Sequence, residues 1–99
     1  MIQNSLLPTL QKLGLTYYEA KAYLSLMTLG VAKPSAIAEE SGVPRTKIYE
    51  VLKKLEKDKW VNIENSRPAT VTPTYPRKVL EERKLRFNHE IDSLANEPT

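Results

Sequence analysis

Leu6, Leu7, Leu10 and Leu13 recur at the spacing of one helical face, so residues 4–13 read as a first helix that Gly14 ends. Pro8 falls in its first turn on this reading, where a missing N–H is tolerated. Thr16 with Glu19 three residues on has the form of a capping box. Ala20, Tyr23, Leu24 and Met27 then line one face of a second helix, which stops at Gly30. Ala32 and Lys33 form a short, extended linker, and Pro34 opens a third helix through Glu40 or Ser41 with Ile37 and Ala38 inward. A fourth helix runs from Pro44 to about Asp58. On it Val51, Leu52 and Leu55 fall within roughly 60° of Ile48 and form the core face. Thr46, Tyr49, Glu50, Lys53 and Lys57 take the opposite face, flanked by Lys47 and Lys54, with Arg45 near the core edge of the first turn.

Beyond that helix the period changes. Trp60 to Glu64 alternates large apolar and polar residues as a half-buried strand does, with Trp60 as a core anchor. Asn65-Ser66-Arg67-Pro68 is turn chemistry, and Ala69 to Thr72 is rich in β-branched residues. The two runs predict a hairpin with Arg67 near its tip. From Arg77 to about Ala95 a last helix follows, in which Leu80, Lys84, Phe87, Ile91 and Leu94 occupy successive d, a, d, a and d positions of a heptad.

Ser41-Gly42-Val43-Pro44 joins the third and fourth helices by a short turn containing Gly, the signature of a helix-turn-helix. A hairpin directly after the second helix of that motif is a wing. The expected fold is therefore mainly α with a small β-hairpin: a winged helix-turn-helix with a C-terminal dimerisation helix. Residues 1–76 would be the DNA-binding domain and residues 77–99 the dimerisation helix.

Composition removes most alternatives. There is no Cys, and His89 is the only His, so thiolate or histidine metal sites and nucleophile–base constellations have no members. Three Gly residues cannot build a phosphate-cradling loop. No cofactor and no metal is expected, and the chain does not read as an enzyme. No apolar run approaches the roughly 20 residues of a membrane span, and the N-terminus lacks a basic signal region, so a cytoplasmic location is expected. The net charge of +3 is unevenly spread. Residues 1–44 carry three basic and three acidic residues, residues 45–86 twelve and six, and residues 87–99 none and three. A basic middle segment suits a polyanion.

Those observations select candidate residues. Arg45, Thr46 and Lys47 on the first turn of the fourth helix have the chemistry to meet base edges and phosphates; Arg can bond guanine bidentately. Lys53 and Arg67 would approach the backbone. Tyr49 has two readings: a hydroxyl on a phosphate, or a ring packed beside the core. Glu50 is repulsive near phosphates and reads as an ion-pair partner of Lys53 or Lys54. Lys33 and Ser35 open the third helix, either as an ordinary helix start or as a phosphate site. The stripe Leu80, Lys84, Phe87, Ile91 and Leu94 reads as a homodimer seam, against the alternative that the helix folds back on its own chain.

Three phrases carry a family resemblance: LGLTYYEAKAYLSLMTLG (13–30), SGVPRTKIYEVLKKLEKDKWV (41–61) and RPATVTPTYP (67–76). From Leu13 to about Leu80 the chain resembles the N-terminal domain of the TrmB-like family of archaeal transcriptional regulators. The resemblance implies a winged helix-turn-helix that binds DNA, usually as a dimer. It also implies a positioning helix over 35–40, a recognition helix over 45–58 and Arg67 as a wing residue. Full-length members of that family often continue into a sugar-binding effector domain. This chain stops at Thr99, so no small-molecule effector is expected. The family commonly has Gly where Lys59 stands; either the turn differs here, or Lys59 accepts the roughly 1–2 kcal/mol cost of a left-handed residue and points at the phosphates. The leading expectation is a sequence-specific regulator of double-stranded DNA acting as a homodimer. The rival is a winged helix that docks another protein and binds no DNA.

Overall fold

The computed structural model describes residues 2–95, with side chains from Leu6 onward. Its elements in chain order are α1 (Ile2–Lys12), α2 (Tyr17–Leu29), α3 (Pro34–Ser41), α4 (Arg45–Lys57), β1 (Val61–Glu64), β2 (Thr70–Pro73) and α5 (Pro76–Ala95). The fold is the expected one: mostly helical, with an antiparallel hairpin and a C-terminal helix. Helix α1 starts two residues before the expected residue 4, so Pro8 lies in its second turn and interrupts the N–H ladder there. Glu97, counted above with the acidic C-terminal residues, lies outside the described residues.

Helix α2 is the centre of the molecule. The expected capping box forms: the Glu19 N–H donates to Thr16 Oγ1 at 3.1 Å, and the Thr16 N–H donates to Glu19 Oε1 at 2.9 Å. Ala20, Ala22, Tyr23, Leu24 and Leu26 are all buried, so the helix is covered on more than the single face its periodicity predicts. The Tyr23 hydroxyl donates to the Thr74 carbonyl at 2.5 Å and ties α2 to the β2–α5 junction. Burial, and secondarily Tyr75, push the Tyr23 pKa well above the usual phenol value.

The Ser41-Gly42-Val43-Pro44 turn works as its residues dictate. Gly42 takes a left-handed conformation (φ 80°, ψ 4°), which stops α3. The Val43 N–H donates to the buried Ser41 Oγ at 3.2 Å, and Val43 itself is buried. Pro44 then precedes α4, whose core face is Ile48, Val51, Leu52 and Leu55, as the pattern requires.

At the end of α4 the chain turns through Lys59, which is left-handed at φ 71°. The Lys59 N–H donates to the Glu56 carbonyl at 3.0 Å, and the Trp60 N–H to the Leu55 carbonyl at 2.8 Å. That is a Schellman cap with lysine in the usual glycine position. The turn is therefore the left-handed one, with Lys59 carrying its backbone cost. Trp60 is fully buried and stacks edge-on against Tyr23 at 5.2 Å between ring centroids. In the hairpin Ile63 pairs with Val71 and Glu64 with Thr70, and Ala32 adds a bridge to Val71 through bonds of 3.1 and 2.8 Å.

Helix α5 is anchored only by its first two turns. Val79 is its buried residue, and Arg83 donates to the Leu13 carbonyl at 3.2 Å while lying 5.1 Å over the Trp60 ring. The rest projects: the radius of gyration is 15.6 Å, against about 13 Å for a compact chain of this length. No helix among the described residues is long and apolar enough to cross a membrane, and no acidic, His or Cys group there could hold a metal.

Candidate nucleic-acid interface

The amphipathic sequence of α4 dictates what that helix shows to solvent. With Ile48, Val51, Leu52 and Leu55 turned inward, Arg45, Thr46, Lys47, Tyr49, Glu50 and Lys53 are all exposed. Tyr49 is 61% exposed and so is not part of the core. Tyr49, Leu52, Lys53 and Glu56 line a groove of about 130 Å³ with Pro34 of α3 and with Ile63, Asn65 and Ala69 of the hairpin. Helices α3 and α4 and the hairpin thus meet at this groove. Lys33 and Ser35, on either side of Pro34 in the chain, are exposed but do not line the groove.

Two helix starts at this surface are open. No side chain caps α3, whose N-cap is Lys33, or α4, whose N-cap is Pro44. Helix α2, away from this surface, carries a full capping box. Uncapped N-termini leave N–H donors and positive potential for an incoming anion.

Arg67 stands apart. It is exposed in the loop between β1 and β2, where the Arg67–Pro68 peptide bond is cis, and it does not line the groove. Asn65, two residues before it, does. Sequence reading took Asn65 for a turn residue; nothing in its local pattern reveals that the hairpin folds it toward α4. One expectation fails. Glu50 forms no ion pair with Lys53 or Lys54 among the described residues; Lys54 pairs with Asp58 at 2.6 Å instead. The hydrogen bond to Asp58 holds the Lys54 pKa above its ordinary value. Asp58 lies one turn beyond Lys54, at i+4, within reach of its ammonium.

The dimer stripe is exposed in the single chain. Leu80 is 39%, Phe87 61%, Ile91 47% and Leu94 71% exposed, and Lys84 is exposed with them. Leu80 also lines a cavity of about 290 Å³ with Leu6, Leu10, Leu13, Tyr23 and Met27. It therefore serves the body and the stripe together.

Comparison with known proteins agrees with this geometry. The model of the family "Sugar-specific transcriptional regulator TrmB" matches residues 10–77. The HTH-type sugar sensing transcriptional regulator TrmBL1 of Pyrococcus furiosus is 39% identical over 95% of this chain and 28% of its own length. The DNA-binding HTH-type transcriptional repressor TrmBL2 of Thermococcus kodakarensis is 33% identical over 82% of this chain and 31% of its own. The chain thus spans about a third or less of these curated relatives. Among solved structures, the archaeal chromatin protein TrmBL2, described as showing a novel mode of DNA binding, superposes with a TM-score of 0.83. It is 29% identical over 96% of this chain and 37% of its own. A MarR family regulator from Silicibacter pomeroyi (TM-score 0.62, 16% identical, covering 97% of this chain and 68% of its own) shares the fold. On the match over residues 10–77 and the winged helix that carries it, the chain belongs to the TrmB family of transcriptional regulators.

Proposed function

We propose that the protein binds double-stranded DNA as a sequence-specific transcriptional regulator, with α4 in the major groove and the wing on the flanking backbone or minor groove. The observation that carries the reading is the α4 surface. A helix with its apolar face fully buried presents Arg45, Thr46, Lys47, Tyr49 and Lys53 outward, beside two uncapped helix starts. Arg45 and Thr46 on the first turn supply base-edge chemistry; Lys33, Ser35, Lys47, Lys53 and Arg67 supply backbone contacts. The protein works as a homodimer through α5, whose apolar stripe is uncovered in one chain. Relatives named as a sugar sensing regulator and a DNA-binding repressor support the DNA reading. Sugar sensing stays with the relative that bears the name, since this chain spans 28% of it.

Salt tests the DNA reading. A dimer making six or more phosphate contacts loses roughly 10³-fold or more in duplex affinity between 50 and 200 mM salt. A flat salt response, with binding to a protein partner instead, is the outcome of the protein-docking alternative. The likeness to a chromatin protein favours a second reading, in which the same surface coats DNA without regard to sequence. On that reading Arg45→Ala weakens all duplexes equally.

A further inference from the structure

We infer that Glu56 is a positioning residue for DNA binding: its carboxylate latches the wing to α4 and so sets where Arg67 stands relative to the α4 surface. The role rests on the DNA reading above and belongs to a residue which that reading does not use.

The backbone bonds of the hairpin show why one side chain matters. Val71 gives its N–H to the Ala32 carbonyl at 2.8 Å and accepts the Ala32 N–H at 3.1 Å. Both backbone groups of Val71 therefore point away from β1. Its cross-strand partner is Ile63, so this pair is of the non-hydrogen-bonded kind, and the Ile63 N–H points out of the opposite edge of the hairpin. There it donates to Glu56 Oε2 at 2.9 Å. At this level the outer edge of β2 is held by backbone and the outer edge of β1 by a carboxylate, a stronger acceptor than a neutral oxygen.

That pair is also where the wing leaves the body. Val71 is buried and Ile63 half-buried, whereas Glu64 to Pro68 are all exposed. Arg67 lies four residues past Ile63, at most about 13 Å along an extended chain. A swing of about 20° at the pair carries Arg67 by up to about 4–5 Å, more than a polar contact tolerates.

Electrostatics alone predicts the opposite role. Glu56 lines the groove beside Tyr49 and Lys53, on the surface proposed to meet DNA, where a carboxylate repels phosphates. It forms no ion pair among the described residues, and its one side-chain hydrogen bond among them is to Ile63. Removing a mere surface charge strengthens DNA binding; removing a latch weakens it.

Glu56→Ala and Glu56→Gln each raise the net charge of +3 by one, but only glutamine keeps an acceptor for the Ile63 N–H. Duplex affinity is titrated against salt for both, alone and combined with Arg67→Ala. Glu56→Gln should bind at least as tightly as the wild type. Glu56→Ala should bind about five- to tenfold more weakly, with the slope of log affinity against log salt lower by about one unit, as though a cation had been removed. Arg67→Ala should then add little to the loss. Equal affinities of Glu56→Ala and Glu56→Gln overturn the inference, and a full further loss from Arg67→Ala overturns the action through Arg67. Amide hydrogen exchange tests the latch without DNA. The Ile63 amide should exchange about tenfold or more faster in Glu56→Ala than in the wild type or Glu56→Gln, while the Ile48 and Leu52 amides keep their protection and show the variant folded. Unchanged protection of Ile63 in Glu56→Ala overturns the latch. A wild type that binds no duplex overturns the DNA reading, and the positioning role with it, while the Ile63 amide still reports the latch.

Discussion

Lys59 is where one residue type and its backbone disagree. It holds the left-handed position of the α4 cap that glycine fills without strain, and its φ of 71° places Cβ against the backbone. Lys59→Gly should relieve that strain, with part of the gain lost to the greater freedom of glycine in the unfolded chain. We expect a net stabilisation of about 0.5–1 kcal/mol, a rise of several degrees in Tm by thermal unfolding. An unchanged or lower Tm would show that the lysine stem recovers the cost through packing. Arg45 and Arg67 form a second contrast at this scale, because both are exposed and cationic but sit on different elements. Arg45→Ala should cost about 1–3 kcal/mol on a preferred duplex and relax the preference at one base position. Arg67→Ala should weaken all duplexes by a similar factor. Competition binding with single-base variants of one site separates the two, and identical profiles would remove Arg45 from base reading.

Both helices of the motif start without a side-chain cap. Helix α3 begins at Lys33 and Pro34 with no side-chain cap, so its first N–H groups stay free beside an exposed lysine. Replacing Lys33 by Ala should reduce the slope of log affinity against log salt by about one unit. A slope equal to that of the wild type places Lys33 outside the interface. Most elements of this fold were legible before the structure, because their signals are local. The Thr16–Glu19 box, the Gly42 turn and the Ile48-Val51-Leu52-Leu55 face each depend on residues within one or two turns. What stayed hidden depends on tertiary approach. Sequence could not choose among the carboxylates within reach of Lys54, and the fold chose Asp58 over Glu50. Neither the seating of Arg83 on Trp60 nor the turn of Asn65 toward Tyr49 has a periodic signal. The burial of Ala22 and Leu26 was invisible for the same reason: a helix covered on several sides shows no single stripe.

At the scale of the molecule, a body anchored to the first two turns of α5 leaves the rest of that helix as an arm with an uncovered apolar stripe. Phe87→Asp with Ile91→Asp should convert a sedimenting dimer into a monomer and leave the helical content of the body unchanged, since both residues lie away from the core. A double variant that stays dimeric at tens of micromolar would remove this stripe from the interface. A two-fold dimer in turn expects a pseudo-palindromic site with half-site centres about 34–36 Å apart, or a multiple of that. The central claim is that the exposed face of α4 reads duplex DNA. It is tested most directly by selecting duplexes from a random pool and titrating the wild type, at about 0.15 M salt, against the selected duplex and an unrelated one of equal length. The account predicts a preference of about 10³-fold or more for the selected duplex, falling by about 10–100-fold in Arg45→Ala. Equal affinity of the wild type for both duplexes would contradict it.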